Sequence, residues 1–284
     1  MAPEAHSSQG SQNIPEKEAR RVGRPSRVTG DLGRMPSGQA APPEAVVGGT
    51  DNELSTTRFG SVRGYAHRYY GEPRQDAIKV VHEIDDGVMV VAIADGLGTA
   101  VGADRGAQCA VEEACRALLC TQTGTTYWAQ GVFSQVANRM NEVATSLALT
   151  PEDLSTTLAV AALFEGPSST TVDLALVGDT IPLIFPRDEV EPLPEILDTE
   201  TAAMPGHFPD VVTTSFEVAP GQTFLLATDG FANPVKYGSA DSIVEEWTLQ
   251  LPQSLGRFLW DIDAIVKTYD DDRTVFAYQR AQVT

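Results

Sequence analysis

From Phe59 onward the apolar and polar positions fall into two alternating rhythms. Segments 58–64, 76–84, 87–94, 156–164, 171–178, 180–185, 211–219, 222–228 and 273–279 are short and rich in β-branched and aliphatic residues, which predicts strands. The run "GVMVVAIA" (87–94) is almost wholly apolar, as expected of a strand covered on both faces. Residues 104–120 and 128–149 instead repeat apolar positions at three- and four-residue spacing and predict two amphipathic helices, with two more near 240–251 and 254–268. The polar stretch "YAHRYYGEPRQ" (65–75) reads as a loop. Strands, two helices, further strands, late helices and a closing strand make an α+β order, with sheets inside and helices outside.

Residues 1–54 lack either rhythm and are rich in Ser, Gln, Gly, Pro and Arg, so they read as a disordered low-complexity tail ahead of one domain, 55–284. The acidic, Pro-rich stretch 186–210 is long for a connection in a compact fold and reads either as a flap beside an active site or as a variable insertion.

Charge narrows the function. Thirty-nine acids against 20 bases give −19, a field that repels nucleic acid and anionic membrane. Residues 1–45 hold six bases and five acids, so the excess lies in the body. No apolar run reaches the ~18 residues of a membrane helix, and the start lacks a signal-peptide pattern; a cytoplasmic monomer is expected. Cys109, Cys115 and Cys120 share one predicted helix without metal-ligand spacing and read as buried free thiols.

Acids recur where strands end. "VVAIADG" stops at Asp95-Gly96, "TFLLATDG" at Asp229-Gly230, Asp270, Asp271 and Asp272 precede the last strand, and Asp76 opens another. An unpaired carboxylate at a buried strand end costs several kcal/mol, so backbone donors, a base or a metal must compensate it. Singly, each Asp-Gly is an ordinary turn. Together they suggest convergence on one sheet edge, and oxygen-only ligands suit Mg²⁺ or Mn²⁺. Glycines 96 and 98 would then let the backbone lie close to an ion.

The ordered set "RQDA", "ADGLG", "LSTTLAVAAL…LALVGDT", "LLATDG" and "DDRTVFAY" resembles the metal-dependent protein serine/threonine phosphatases of the type 2C (PPM) family in its bacterial form. The resemblance implies a four-layer α-β-β-α sandwich with two central antiparallel sheets and a binuclear Mn²⁺ or Mg²⁺ centre. It also implies hydrolysis of phosphoserine and phosphothreonine on proteins by a metal-bound hydroxide. Position by position, Asp95 matches the acid bridging both ions, the Gly96 carbonyl a ligand of one, and Asp229 and Asp271 ligands of the other. Asp76 matches the acid that holds and deprotonates the water. Phosphate contacts would come from Arg63, His67, Arg68 or Arg74, with Arg63 and His67 first. Asp153 reads as a third-ion ligand or as an N-terminal loop acid, Asp179 as structural, and Asp270 and Asp272 as supporting or solvated.

Two departures stand out. Gln75 replaces the Glu that family members often place before the water-binding acid, where it adds to one metal's shell. Leu97 replaces a His that many relatives use as leaving-group acid, which leaves water or His67 for that role. The enzyme implies phosphoprotein substrates and a cognate Ser/Thr kinase. The alternative is a catalytically weak or dead relative that binds phosphoproteins as a regulator, and a third reading has the strand-end acids as plain turns of an unrelated binding protein.

Overall fold

Strand alternation sorts the apolar side chains of this protein into three core layers. The computed structural model describes residues 21–22, 34–36, 42–83, 87–125, 127–186, 202–206, 211–266 and 269–282. In chain order the elements are β1 (Arg21–Val22), β2 (Ala45–Asp51), β3 (Ser55–Val62), α1 (Tyr65–Tyr70), β4 (Asp76–Glu83), β5 (Val88–Asp95), α2 (Ala103–Leu119) and α3 (Trp128–Ser146). A 3₁₀ turn, Pro151–Leu154, leads into β6 (Leu158–Glu165), β7 (Thr170–Val177), β8 (Ile181–Phe185), β9 (Val212–Val218) and β10 (Thr223–Ala227). Then come α4 (Asp229–Lys236), α5 (Asp241–Leu249), α6 (Leu255–Ile262), β11 (Ile265–Val266) and β12 (Arg273–Arg280).

Two five-stranded antiparallel sheets, β2-β3-β12-β10-β8 and β4-β5-β6-β7-β9, stack face to face. Along β5, Met89, Val91 and Ile93 face the other sheet, where they meet Phe224, Phe276 and Tyr278. Val90, Ala92 and Ala94 face α2 and α3. The outer face of the first sheet packs on α4–α6 around Trp247, stacked between Phe231 and Phe258. Truncating any of these fully buried aromatics to Ala would cost about 3–5 kcal/mol. The architecture is the α-β-β-α sandwich expected, and β5 is covered on both faces because each parity meets a different layer.

Several local expectations are corrected. Residues 45–51, assigned to a disordered tail, form an edge strand in full register with β3. Residues 34–36 also lie against the body, where Arg34 donates its backbone N–H to the Arg68 carbonyl at 2.8 Å. The ordered domain therefore begins before residue 55; residues 1–20, 23–33 and 37–41 of the expected tail lie outside the described residues. Two glycines in "AVVGGTD" hid the strand; at Gly48 a Cβ would fall 2.3 Å from the Phe59 ring, so only glycine lets β2 lie over it. "YAHRYY" is a helix, too short for periodicity to show, closed by Gly71 at φ 75°. The late helix expected at 254–268 stops at Ile262. Of the 186–210 stretch, residues 187–201 and 207–210 lie outside the described residues, whereas Met204 is buried and pairs with Thr156 through both backbone bonds. Cys115 is buried, Cys109 half-buried and Cys120 exposed, so the buried-thiol reading holds for the first alone. Among the described residues no helix is long and apolar enough to cross a membrane.

Candidate active site

Register carries the acids to one end of the sandwich. Asp76 opens β4, Asp95 closes β5, and the two are opposite partners. Both share the parity of the inter-sheet residues, Ile78 and Val80 on one strand and Val91 and Ile93 on the other, so both carboxylates face between the sheets. In the facing sheet Ala227 pairs with Val275, which sets Asp229, at the start of α4, beside the 270–272 loop. Val177 pairs with Leu158 and delivers Asp179 to the same end.

A cleft of about 180 Å³ opens there. Four carboxylates line it, from Asp95, Asp179, Asp229 and Asp271. His67 and Gln75 line it from the facing segment, and Leu97 and Thr157 complete the wall. Burial pushes the Asp95 carboxyl well above its usual range, and the charges of Asp76, Asp229, Asp271 and Asp179 push it further. Asp229 is raised to about 6 by burial and by Asp179 and Asp271, and burial also raises Asp271. The Asp95 carboxylate accepts no hydrogen bond from the described residues; its backbone is clamped instead, by Thr156 Oγ1 and Thr157 N–H on its carbonyl, each at 2.8 Å. Asp271 Oδ1 accepts the Asp272 N–H at 2.8 Å, yet burial raises all three carboxyls, and acidic neighbours push each of them further toward its neutral form.

Behind the lining, Asp76 is 3% exposed. Its Oδ2 accepts from Thr228 Oγ1 at 2.9 Å and Thr274 Oγ1 at 2.7 Å, while burial and Asp272 hold its carboxyl well up. Asp272, 2% exposed, is a knot of hydrogen bonds. Oδ1 accepts from Gly64 N–H at 2.6 Å and lies 2.8 Å from His67 Nδ1; Oδ2 accepts from Gln75 N–H at 2.6 Å and Asp76 N–H at 3.2 Å. One carboxylate thus ties the end of β3, helix α1 and the start of β4 to the start of β12. Burial on its own would lower the His67 pKa, but the bond and charge of Asp272, with Asp271 and Glu72, raise it to about 9.

Of the residues chosen from sequence, Asp95, Gly96, Asp229, Asp271, Gln75 and His67 meet on the cleft, and Asp76 stands directly behind it. Arg63 does not. It is 1% exposed, with Nη2 on the Arg34 carbonyl at 2.7 Å and Nη1 3.2 Å from Glu44, which leaves it no access to a substrate. Arg68 pairs with Asp263 at 3.1 Å, and Arg74, 3% exposed, is buried near Asp76 and Asp272. Asp153 caps its 3₁₀ turn, its Oδ2 accepting from Thr150 N–H and Oγ1, each at 2.9 Å. Two residues were undervalued. Asp179 lines the cleft and Asp272 organises it, and both carry the strand-end signal that marked the others. Gly96 is also required by packing: a Cβ there would fall 2.8 Å from Ala103 of α2, whereas at Gly98 a Cβ would make only an ordinary 3.8 Å contact with Gln75 Oε1.

The donor set fits hard divalent cations. Among the described residues Gln75 Oε1 is buried without a hydrogen-bond partner, and beside it stand the carboxylates of Asp95, Asp179, Asp229 and Asp271, against which the lining sets a single basic side chain, His67. Asp95, the Gly96 carbonyl, Asp229, Asp271 and Gln75 are the oxygens that would hold such ions.

An α-β-β-α sandwich with a carboxylate-lined cleft at one end of its paired sheets defines a class of phosphatases. The protein phosphatase 2C family matches residues 63–255, and the chain belongs to that family of protein phosphatases. Among solved structures it is similar to RsbX in complex with magnesium, at 15% identity over 83% of this chain and 100% of that one, with a TM-score of 0.57. It is also similar to a bacterial serine phosphatase (14% identity, 80% and 98% covered, TM-score 0.55). A third is the Mycobacterium tuberculosis serine/threonine phosphatase PstP/Ppp (15%, 81% and 100%, 0.53). At these identities the likeness speaks for the fold. No curated protein matches the sequence.

Proposed function

We propose that this phosphatase hydrolyses phosphoserine and phosphothreonine on protein substrates with two divalent cations, Mn²⁺ or Mg²⁺, in its cleft. The observation that carries this reading is the convergence of Asp95, Asp179, Asp229 and Asp271 on one cleft whose wall holds, among the described residues, His67 as its one basic side chain. Asp95 would serve both ions, the Gly96 carbonyl one of them, and Asp229 and Asp271 the other. When bound, two such ions neutralise phosphoryl oxygens and bring the pKa of an attacking water toward neutrality.

The chain's own residues do the rest. Asp76, its carboxylate fixed by the Thr228 and Thr274 hydroxyls, orients and deprotonates the water. His67 is protonated at neutral pH and is held through Nδ1 by Asp272. It binds the phosphoryl group and protonates the leaving serine or threonine oxygen, the role that Leu97 cannot fill. Arg63 takes no part in this scheme, because it is sealed beneath Glu44 and Arg34. The ester must be made before it is cleaved, so a protein kinase acts on the same substrates.

A second reading, a phosphoprotein-binding regulator with little turnover, is favoured by one observation: the neutral amide of Gln75 stands where an acid would strengthen metal binding. Turnover of a phosphothreonine peptide with Mn²⁺, with EDTA and in Asp95→Asn separates the two. Mn²⁺-dependent turnover lost in the variant supports the enzyme. A protein that binds Mn²⁺ and peptide without turnover supports the regulator.

A further inference from the structure

Helix α1 carries His67 to the cleft wall yet has only six residues, far fewer than the ~12–15 that hold a helix together on its own in water. Its geometry therefore comes from what grips it. On the cleft side Asp272 accepts from Gly64 N–H at 2.6 Å, and the Asp270 carbonyl accepts from Ala66 N–H at 2.8 Å. A further grip comes from residues that the sequence reads as a tail. Arg34 donates its backbone N–H to the carbonyl of Arg68, in the last turn of α1, at 2.8 Å, and its own carbonyl accepts from Nη2 of Arg63, just before the N-cap Gly64, at 2.7 Å. One backbone unit thus spans both ends of the helix.

Glu44 repeats the span. Its Oε1 lies 3.2 Å from Arg63 Nη1, its Oε2 lies 3.8 Å from Arg68 Nε, and its carbonyl accepts from Arg63 N–H at 2.8 Å. The fit is close, since a Cβ on Gly71, which ends α1, would fall 3.3 Å from the Arg34 Cβ. Arg63 itself is 1% exposed, and its Nε and Nη1 make no hydrogen bond among the described residues, so the Arg34 carbonyl is the acceptor that answers its guanidinium. Burying so sparsely answered a charge costs stability, and what it fixes in return is the turn from β3 into α1.

We propose that Arg63 is a positioning residue: gripped by the Arg34 backbone and by Glu44, it braces both ends of α1 and so sets His67 against Asp272 and the cleft. A catalytic group displaced by about 1 Å loses about a hundredfold in rate. The brace rests on the proposed phosphatase reading, in which His67 protonates the leaving oxygen, and gives the segment around Arg34 a part in that step. Because both Arg34 bonds run through its backbone, the Arg34 side chain is dispensable.

The test uses the full chain with Mn²⁺ and compares Arg34→Ala, which keeps both backbone bonds, with Arg34→Pro, which removes the N–H that reaches Arg68. Arg34 is exposed, so neither substitution disturbs a packed core. On a phosphothreonine peptide Arg34→Pro should lose about tenfold in kcat with KM within about twofold, and Arg63→Met about thirtyfold. On p-nitrophenyl phosphate, whose phenolate leaves without an acid, both should lose no more than about threefold. Arg34→Ala should match the wild type on both substrates. In a His67→Ala background neither Arg34→Pro nor Arg63→Met should lower peptide turnover further, since the brace acts through His67. If Arg63→Met fails to fold, Arg34→Pro carries the test. No loss in Arg34→Pro, equal losses in Arg34→Ala and Arg34→Pro, equal losses on both substrates, or a loss that persists without His67 overturns the proposal. If the wild type turns over neither substrate, the phosphatase reading fails separately, and amide exchange in EDTA decides the brace. Gly71 and Glu72 N–H, each bonded to the His67 carbonyl at 2.9 Å, should then exchange about tenfold faster in Arg34→Pro than in Arg34→Ala, and equal rates overturn it.

Discussion

Asp95 and Glu165 are both acids that close a buried strand, β5 and its neighbour β6, and they lie at opposite ends of the same sheet, roughly 25 Å apart. Glu165 is fully answered: Ser55 Oγ at 2.5 Å, the Tyr278 hydroxyl at 2.9 Å and Asn52 Nδ2 at 3.1 Å donate to it, and it ties the two sheets together. Asp95 is met by other carboxylates instead, and its charge is disfavoured by every neighbour that shifts it. The same placement in sequence yields a structural clasp at one end and a site at the other. What separates them is whether the facing sheet supplies donors or more acids.

The largest effect should come from exchanging charge at these two ends. Asp95→Asn should lower Mn²⁺-dependent kcat/KM by about a thousandfold, whereas Glu165→Gln should leave it within about twofold and cost about 1 kcal/mol in urea unfolding. A Glu165 variant as dead as the Asp95 variant would dissolve the contrast.

Asp272 sharpens it next, as the one carboxylate at the cleft end that is answered as fully as Glu165. Asp272→Ala leaves the Gly64, Gln75 and Asp76 N–H groups unpaired and frees His67, with an expected loss of about a hundredfold in kcat rather than in KM. Asp272→Asn keeps one acceptor oxygen and should lose about tenfold. Hydrogen exchange at those three amides in EDTA reads the positioning directly, because it needs neither metal nor turnover.

Gln75→Glu adds a charge to a metal set that lacks one. It should lower the Mn²⁺ concentration for half-saturation about fivefold, measured by calorimetric titration.

The smallest effect is on stability. Asp229 rises to about 6 in the folded protein from an ordinary 3.8, so between those values the native state binds more protons than the unfolded one. The stability this contributes is present below about pH 4 and is lost as pH climbs through 6. His67 acts in the same direction higher up; its contribution is complete below 6.5 and disappears as pH passes through about 9. Asp229→Asn should therefore raise the Tm of the EDTA-treated protein at about pH 7.5 by about 3 °C, and Mn²⁺ should stabilise the wild type more than the variant. A variant that melts lower in EDTA would show that Asp229 is answered after all.

The strand-end acids Asp76, Asp95, Asp229 and Asp271 were legible because an apolar run that halts at a carboxylate is a local signal. So were the two-period pattern and the strand covered on both sides. Helix α1 was not, since six residues between two glycines show no period, and α4 was masked by Asp-Gly at its start and Pro234 within it. Asp179 and Asp272 bore the same signal as their neighbours, yet nothing local distinguishes an acid that lines a cleft from one that knots a loop.

The sequence by itself determined where most strands and the two long helices run, that sheets lie inside and helices outside, and that several acids end strands. Those properties follow from periodicity and from the cost of burying a charge, both readable along one segment at a time. Only the tertiary structure decided which acids share a cleft, that Glu165 is clasped, that Asp272 holds His67, and that Arg63 is sealed away from the substrate. Each of these depends on donors from segments as much as two hundred positions distant, brought together by the register of two stacked sheets.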